Sequence, residues 1–100
     1  MASPDLTLDS VQQKKKDILE VARAHGIVNI RIFGSVVRGE DTPGSDIDLL
    51  VDLEKGRSLL DIGGASVKLQ EILGRKVDIV TERGLYWYIR DKILKEARPL

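Results

Sequence analysis

The spacing of apolar residues changes along the chain, and each change predicts a different element of structure. Apolar residues recur every three or four positions from Asp9 or Ser10 to about Ala24, which predicts an amphipathic helix. The same spacing predicts a second long helix from Leu59 to Leu73 and a last helix from Leu85 to Ala97, stopped by Pro99. The Gly63-Gly64 pair lies inside the second of these helices, where two glycines favour a bend or an interruption.

Three shorter segments have the residue pattern of β-strands. β-branched and aromatic residues from Val28 to Phe33 predict one strand, and Lys76 to Thr81 predicts another. Between them, apolar and polar residues alternate from Asp46 to Leu53, which predicts a strand with one apolar face and one partly acidic face. Ser35 to Arg38 is long enough for only one or two helical turns. The order of these elements predicts an α/β fold, a small mixed β-sheet with helices mainly on one face.

Length and composition narrow the classes of protein to consider. A chain of 100 residues fits one small domain, and we predict a loose tail at residues 1–8 before a single domain at residues 9–100. The 16 basic and 16 acidic side chains balance, which argues against direct nucleic-acid binding. With no cysteine and one histidine, disulfides and the usual zinc sites are excluded. No apolar run reaches membrane-spanning length and the start has no apolar signal core, so we expect a cytoplasmic protein without membrane contact.

The first chemical motif is the pair Gly34-Ser35, at the junction of a predicted strand and a short helix. A glycine allows a phosphate to approach the backbone closely, and the first amides of a helix can bind an anion. The Ser35 hydroxyl could add a hydrogen bond to a terminal phosphate oxygen. Taken alone, however, the pair is more typical of a tight turn with a serine cap.

The second motif consists of three aspartates on two predicted strands. Asp46 and Asp48 are alternate residues of one strand, so their carboxylates point to the same side. Mg²⁺ is commonly held by one or two carboxylates together with phosphate oxygens of a substrate. An isolated Asp-x-Asp is more often a solvated acidic face, and Asp78 alone could be a strand-edge acid facing water. Three acids and a phosphate loop that converge on one sheet edge would instead favour phosphoryl or nucleotidyl transfer with two metal ions.

In combination, these motifs resemble the minimal nucleotidyltransferases of the DNA polymerase β superfamily. The resemblance is found in three segments, FGSVVRG at residues 33–39, GSDIDLLV at residues 44–51 and VDIV at residues 77–80. It implies that Gly34 and Ser35 hold the triphosphate of ATP and that two Mg²⁺ ions are bound by three acids, Asp46, Asp48 and Asp78. One Mg²⁺ would lie among all three acids and the other would be held by the first two and the phosphates. Asp78 would be the base for the attacking hydroxyl.

Two further residues match the family pattern without a single interpretation. Arg38 lies where the family usually has Arg or Lys, and it could contact phosphate or have a structural role. Ser45 could contact the substrate or serve as a turn residue before the strand. Both are therefore kept as candidate nucleotide-binding residues.

The resemblance also implies a partner, because many small members of the family act with a helical toxin of the HEPN type. In such pairs the nucleotidyltransferase is the antitoxin, which transfers AMP from ATP to a tyrosine of the toxin. One alternative is a non-catalytic module that binds nucleotide or partner and neutralises the toxin by contact, but the intact acids argue against it. Another is an enzyme that modifies a small-molecule hydroxyl, but the chain offers no additional domain for such an acceptor.

Residues 86–88, Tyr-Trp-Tyr, contain three of the four aromatic side chains of the whole protein. They begin the last predicted helix and allow two interpretations. The aromatics could lie half-buried against the sheet as part of the core. Alternatively, Trp87 or a neighbouring tyrosine could anchor an interface with a partner or a second copy of the chain, since aromatic residues are enriched at interfaces.

Overall fold

The computed structural model describes residues 8–40 and 46–100. They form five helices, a short 3₁₀ helix at Glu82–Gly84 and four strands. The helices are α1 (Leu8–Gln12), α2 (Lys15–Ala24), α3 (Ser35–Arg38), α4 (Leu59–Leu73) and α5 (Trp87–Glu96). The strands are β1 (Ile27–Phe33), β2 (Ile47–Leu53), β3 (Val77–Thr81) and β4 (Arg98–Pro99). Within the described part of the chain, no helix has the length and apolar character needed to cross a membrane.

The four strands form one sheet in the order β3-β2-β1-β4. β1 is antiparallel to both β2 and β4, whereas β2 and β3 are parallel, so the sheet is mixed as predicted. The two-residue strand β4 was not predicted, because a segment this short has no alternating pattern to detect. Its Pro99 is compatible with an edge position, where a missing backbone N–H costs little.

The main core lies between one face of the sheet and the helices α2 and α4. Ile47, Leu49 and Val51 of β2 point into it, as the alternation in the sequence predicts. From the other layer come the buried residues of the two helices, Ile18, Ala22, Ala65, Leu69 and Leu73. Asp48 lies on the opposite face of β2, where it is half-buried, followed by Leu50, which is fully buried outside the main core cluster. The half-buried Asp48 therefore lies at a polar opening of this face, near the start of β2.

The first predicted helix is divided into α1 and α2 at Gln13 and Lys14. Lys14 takes backbone angles of φ −99° and ψ 12°, and its Nζ donates a hydrogen bond of 2.8 Å to the carbonyl oxygen of Ile72. The last carbonyls of a helix have no partner within the helix, so this lysine stabilises the end of α4. Of the predicted tail, residues 1–7 lie outside the described residues, and helix α1 begins at Leu8.

Helices α4 and α5 each differ from the sequence prediction in one respect. The Gly63-Gly64 pair does not interrupt α4, which is continuous from Leu59 to Leu73. A Cβ at Gly64 would lie 3.1 Å from Nε2 of His25, whereas a Cβ at Gly63 would meet nothing within 4 Å. Gly64 thus leaves room for the end of α2 to pack against α4. Helix α5 begins at Trp87 rather than Leu85, after an extended Tyr86.

Candidate functional site

The register of the sheet places Asp48 between two neighbouring strands. Its Cα pairs with that of Phe33 in β1 on one side and with that of Asp78 in β3 on the other. Directly opposite residues project from the same face of a sheet, and adjacent strands are about 5 Å apart. Asp48 and Asp78 are therefore side by side. Asp46 lies immediately before β2 and is exposed, as is Asp78, whereas Asp48 is half-buried.

Gly34, which follows β1, packs its backbone directly against Asp48. Its φ of 83° and ψ of −151° are accessible to glycine and strained for other residues. A Cβ at this position would lie only 2.3 Å from Oδ2 of Asp48. A side chain on residue 34 would therefore displace the carboxylate. The glycine is required both by its own conformation and by the position of the acid.

Ser35 begins the short helix α3 and is half-buried. Its carbonyl oxygen accepts a hydrogen bond of 2.8 Å from the backbone N–H of Glu40. Gly34 and Ser35 are thus at the strand-to-helix junction that the sequence predicts. The remaining candidate of this group, Ser45, lies outside the described residues, so its two interpretations stay open.

Glu96, at the end of α5, is a fourth acid at this site. Its Oε2 accepts a hydrogen bond of 3.0 Å from the backbone N–H of Gly34, and its Oε1 accepts one of 2.6 Å from Nη1 of Arg38. Burial by itself would raise the pKa of Glu96, but the hydrogen bonds from Arg38 and Gly34 outweigh it and hold the pKa below its ordinary value. Arg38 also donates from Nε to Glu40 at 3.1 Å. In this structure Arg38 therefore connects α3 to α5.

Sequence reasoning missed Glu96, because no motif surrounds it. One signal was available, since it continues a helical face with spacings of three and four residues. This face contains Ile89, Lys92, Ile93 and Glu96. An acidic residue that continues the partly apolar face of a helix is expected to have a hydrogen-bond or charged partner on the element packed against that face.

The same face of α5 forms one wall of a cleft of about 280 Å³. The other wall consists of Phe33, Gly34, Arg38 and Asp48. A larger cavity of about 510 Å³ lies at the other end of β2 and β3, between Val51–Arg57 and Thr81–Arg83. It contains none of the candidate aspartates, so the smaller cleft is the candidate site on chemical grounds.

The electrostatics of the cleft disfavour the ionised form of Asp48. Burial raises its pKa to about 6 from an ordinary value of 3.8, and the nearby charges of Asp78 and Asp46 add to the effect. Arg38 opposes the shift, while Glu96 makes a small contribution in the raising direction. A divalent cation between these carboxylates would relieve the repulsion, and carboxylate oxygens suit Mg²⁺. Among residues 8–40 and 46–100, however, no three acidic or histidine side chains are already arranged to hold a metal ion.

The interpretation of Trp87 as a half-buried core residue is wrong. Its exposed fraction is 85%, and Tyr86 and Tyr88 are 67% and 65% exposed. The rings of Tyr86 and Tyr88 stack with centroids 5.6 Å apart, and Trp87 meets Tyr88 edge-on at 5.8 Å. These three residues, which we call the aromatic patch, therefore contact one another at the surface. Their exposure is what an interface anchor requires.

Known proteins are similar to this chain in both sequence and fold. Residues 13–100 match the family model described as a nucleotidyltransferase domain. The protein adenylyltransferase MntA of Thermococcus cleftensis is 37% identical over 96 residues, which cover 92% of this chain and 94% of that protein. A structure solved as a candidate minimal nucleotidyltransferase is 43% identical and superposes with a TM-score of 0.84 over 98% of this chain and 100% of that one.

A more distant likeness extends to a toxin–antitoxin complex, that of the tri-AMPylated Shewanella oneidensis HEPN toxin with MNT antitoxin. The matching chain is 20% identical, with a TM-score of 0.65 over 88% of this chain and 69% of that one. At this identity the likeness concerns the fold alone.

Proposed function

Since the chain belongs to the nucleotidyltransferase domain family, we propose that it transfers AMP from ATP to a tyrosine hydroxyl of a HEPN-type toxin protein, as the antitoxin of the pair. That it is a nucleotidyltransferase follows from its family. A protein acceptor is suggested by the relative named a protein adenylyltransferase, and a HEPN toxin by the protein of similar fold that is in complex with an AMPylated one. The tyrosine is what the resemblance of the sequence to the family implies.

The single observation that best supports this proposal is the position of Asp48 between Gly34 and Asp78. A triphosphate bound at Gly34 would bring its negative charges close to those of the paired carboxylates, and the two would repel each other unless cations lay between them. Mg²⁺ is suited to that position, because it binds carboxylate and phosphate oxygens together. Asp46, Asp48 and Asp78 would hold two Mg²⁺ ions, with ATP completing the ligand set. The ions would supply neutralisation of phosphate charge and a lower pKa of the attacking hydroxyl.

The residues of the chain would bind the phosphates and accept the proton of the attacking hydroxyl. Gly34 lets the phosphates approach the backbone, and the Ser35 hydroxyl donates a hydrogen bond to a phosphate oxygen. Asp78 is exposed at the open edge of the sheet, so an acceptor hydroxyl can reach it from solvent, and it accepts the hydroxyl proton. The tyrosine oxygen then bonds to the α-phosphorus, the bond from that phosphorus to the β-phosphate oxygen breaks, and pyrophosphate leaves.

The aromatic patch is the surface that we propose for binding the toxin. Tyrosine and tryptophan are enriched at protein interfaces, where a few of them supply much of the binding energy. Trp87 precedes Ile89 by two positions, so on the helix it lies on the side away from the cleft. A partner bound there would leave the cleft open to its acceptor tyrosine. A second copy of the chain could occupy the same patch, and sedimentation would distinguish the two occupants.

The test is a transfer assay with the purified chain, Mg²⁺ and whatever protein the neighbouring gene encodes. ATP labelled at the α-phosphate should label the partner, whereas ATP labelled at the γ-phosphate should not. Replacing the acceptor tyrosine by phenylalanine should remove the label, and so should Asp48→Asn in the nucleotidyltransferase. Transfer of the γ-label would indicate a kinase. Binding of the two proteins with neither label transferred would favour the alternative, a module that neutralises its partner by contact.

A further inference from the structure

Helix α5 makes charged and polar contacts with its neighbours near both of its ends. None of its residues is buried, and its apolar face is only half-covered. At its end, the side chain of Glu96 is 15% exposed and accepts hydrogen bonds from both Gly34 and Arg38. At its start, Arg90 pairs with Glu82 of the 3₁₀ helix, away from the cleft. A helix attached in this way can move without opening the hydrophobic core.

In the proposed function, the two groups that donate to Glu96 are groups that would bind the phosphates, the backbone N–H of Gly34 and the guanidinium of Arg38. A carboxylate oxygen accepts the N–H of Gly34, and another accepts the guanidinium of Arg38, so the glutamate takes the place of two phosphate oxygens. Glu96 also faces the same cleft as Asp48. While Glu96 accepts these hydrogen bonds, a triphosphate in the cleft would lack both donors and would also be repelled by the negative charge of Glu96.

We propose that Glu96 is an internal competitor for the phosphate loop, which a triphosphate must displace, and that α5 moves away from Gly34 when the nucleotide binds. This inference rests on the proposed function, because it takes the loop to be the triphosphate site. Glu96 is thus a positioning residue that acts on the loop and does not touch the reacting atoms. In the free protein it holds the loop and α5 together.

The first experiment measures the binding of inorganic tripolyphosphate with Mg²⁺ by calorimetry, for wild type and Glu96→Gln. Glutamine keeps the shape of the side chain, but it has a single, neutral acceptor oxygen, so it can accept only one of the two hydrogen bonds and accepts it more weakly than a carboxylate does. The affinity for tripolyphosphate should therefore rise on the order of ten-fold. Asp91→Asn is the matched control, since it removes one negative charge from an exposed position of α5 that does not line the cleft. It should bind as the wild type does. Equal or weaker binding by Glu96→Gln would overturn the inference.

The second experiment measures the position of α5 directly. The chain has no cysteine, so spin labels can be attached to cysteines introduced by Asp91→Cys in α5 and Lys68→Cys in α4, both at exposed positions. The distance between the two labels should change in step with the calorimetric titration of tripolyphosphate. Binding without any change in this distance would refute the movement of α5, even if the glutamine variant could not be purified. If neither wild type nor variant bound tripolyphosphate, the proposed function itself would fail and this inference with it.

Discussion

Replacing Asp48 by asparagine should stabilise the metal-free protein at neutral pH while abolishing transfer. The carboxylate of Asp48 is half-buried among like charges, and its pKa is raised to about 6. The folded chain therefore binds this proton more tightly than the unfolded chain does. An ionised Asp48 costs stability above pH 6, and the cost disappears as the pH falls below the ordinary value near 4. Asparagine has the same shape without the charge, so it removes the cost.

The size of the effect follows from the shift of the pKa. A rise from 3.8 to about 6 is roughly two units, and each unit corresponds to about 1.4 kcal/mol, which sets an upper limit of about 3 kcal/mol. Since the side chain is half-exposed, screening by solvent reduces this to ~1–2 kcal/mol. For a domain of this size, that free energy would raise Tm by about 4–15 °C at pH 7.

Urea denaturation in the presence of a chelator, at pH 4 and at pH 7, provides the measurement. The free energies of unfolding of wild type and Asp48→Asn should nearly coincide at pH 4 and separate at pH 7, with the variant more stable. Asp52→Asn is the control on the same strand, because Asp52 is paired with Arg31 and accepts a hydrogen bond from Asn29. It should not be stabilising at pH 7. A variant of Asp48 that was destabilised at pH 7, or equally affected at both pH values, would refute the reasoning.

The remaining predictions concern metal, catalysis, partner and packing. ATP should bind more tightly with Mg²⁺ than without it, since the phosphates complete the ligand set; equal affinities in calorimetry would contradict a metal-bridged site. Asp78→Asn should lose about 100-fold or more in labelled-AMP transfer yet keep most nucleotide binding, whereas Asp46→Asn should lose both; wild-type transfer by the former would disprove its role. Trp87→Ala should keep its circular dichroism melting curve but weaken association with the partner or a second copy at least about ten-fold in analytical ultracentrifugation; a variant that unfolds or assembles normally would disprove the interface. Gly63→Ala should raise the free energy of unfolding by about 1 kcal/mol, because its Cβ meets open space, and Gly64→Ala should gain less because of His25; equal gains would contradict the packing.

The sequence by itself determined most of the elements and the chemical character of the site. The existence of the last two long helices, and of all three longer strands, follows from local spacing of apolar residues, although the last helix begins two residues after the predicted Leu85. The interruption of the first helix at Lys14 was not visible, because the residues there are compatible with a helix and the hydrogen bond to Ile72 is made across 58 positions. Likewise, the continuity of α4 through Gly63 and Gly64 depends on packing against α2, which a local pattern does not report.

Only the tertiary structure decided which candidate residues meet. Asp48 and Asp78 become neighbours through the parallel register of β2 and β3, and a shift by one residue would turn one of them to the other face. Glu96 reaches Gly34 from 62 positions away, through a helix whose own sequence has no motif for this site. The exposure of Trp87 also depended on the whole fold, since an aromatic residue in a helix suits a core or an interface equally well. Local sequence specifies the period and the chemistry of each element, whereas contacts between distant elements depend on register and packing that emerge only when the chain is folded.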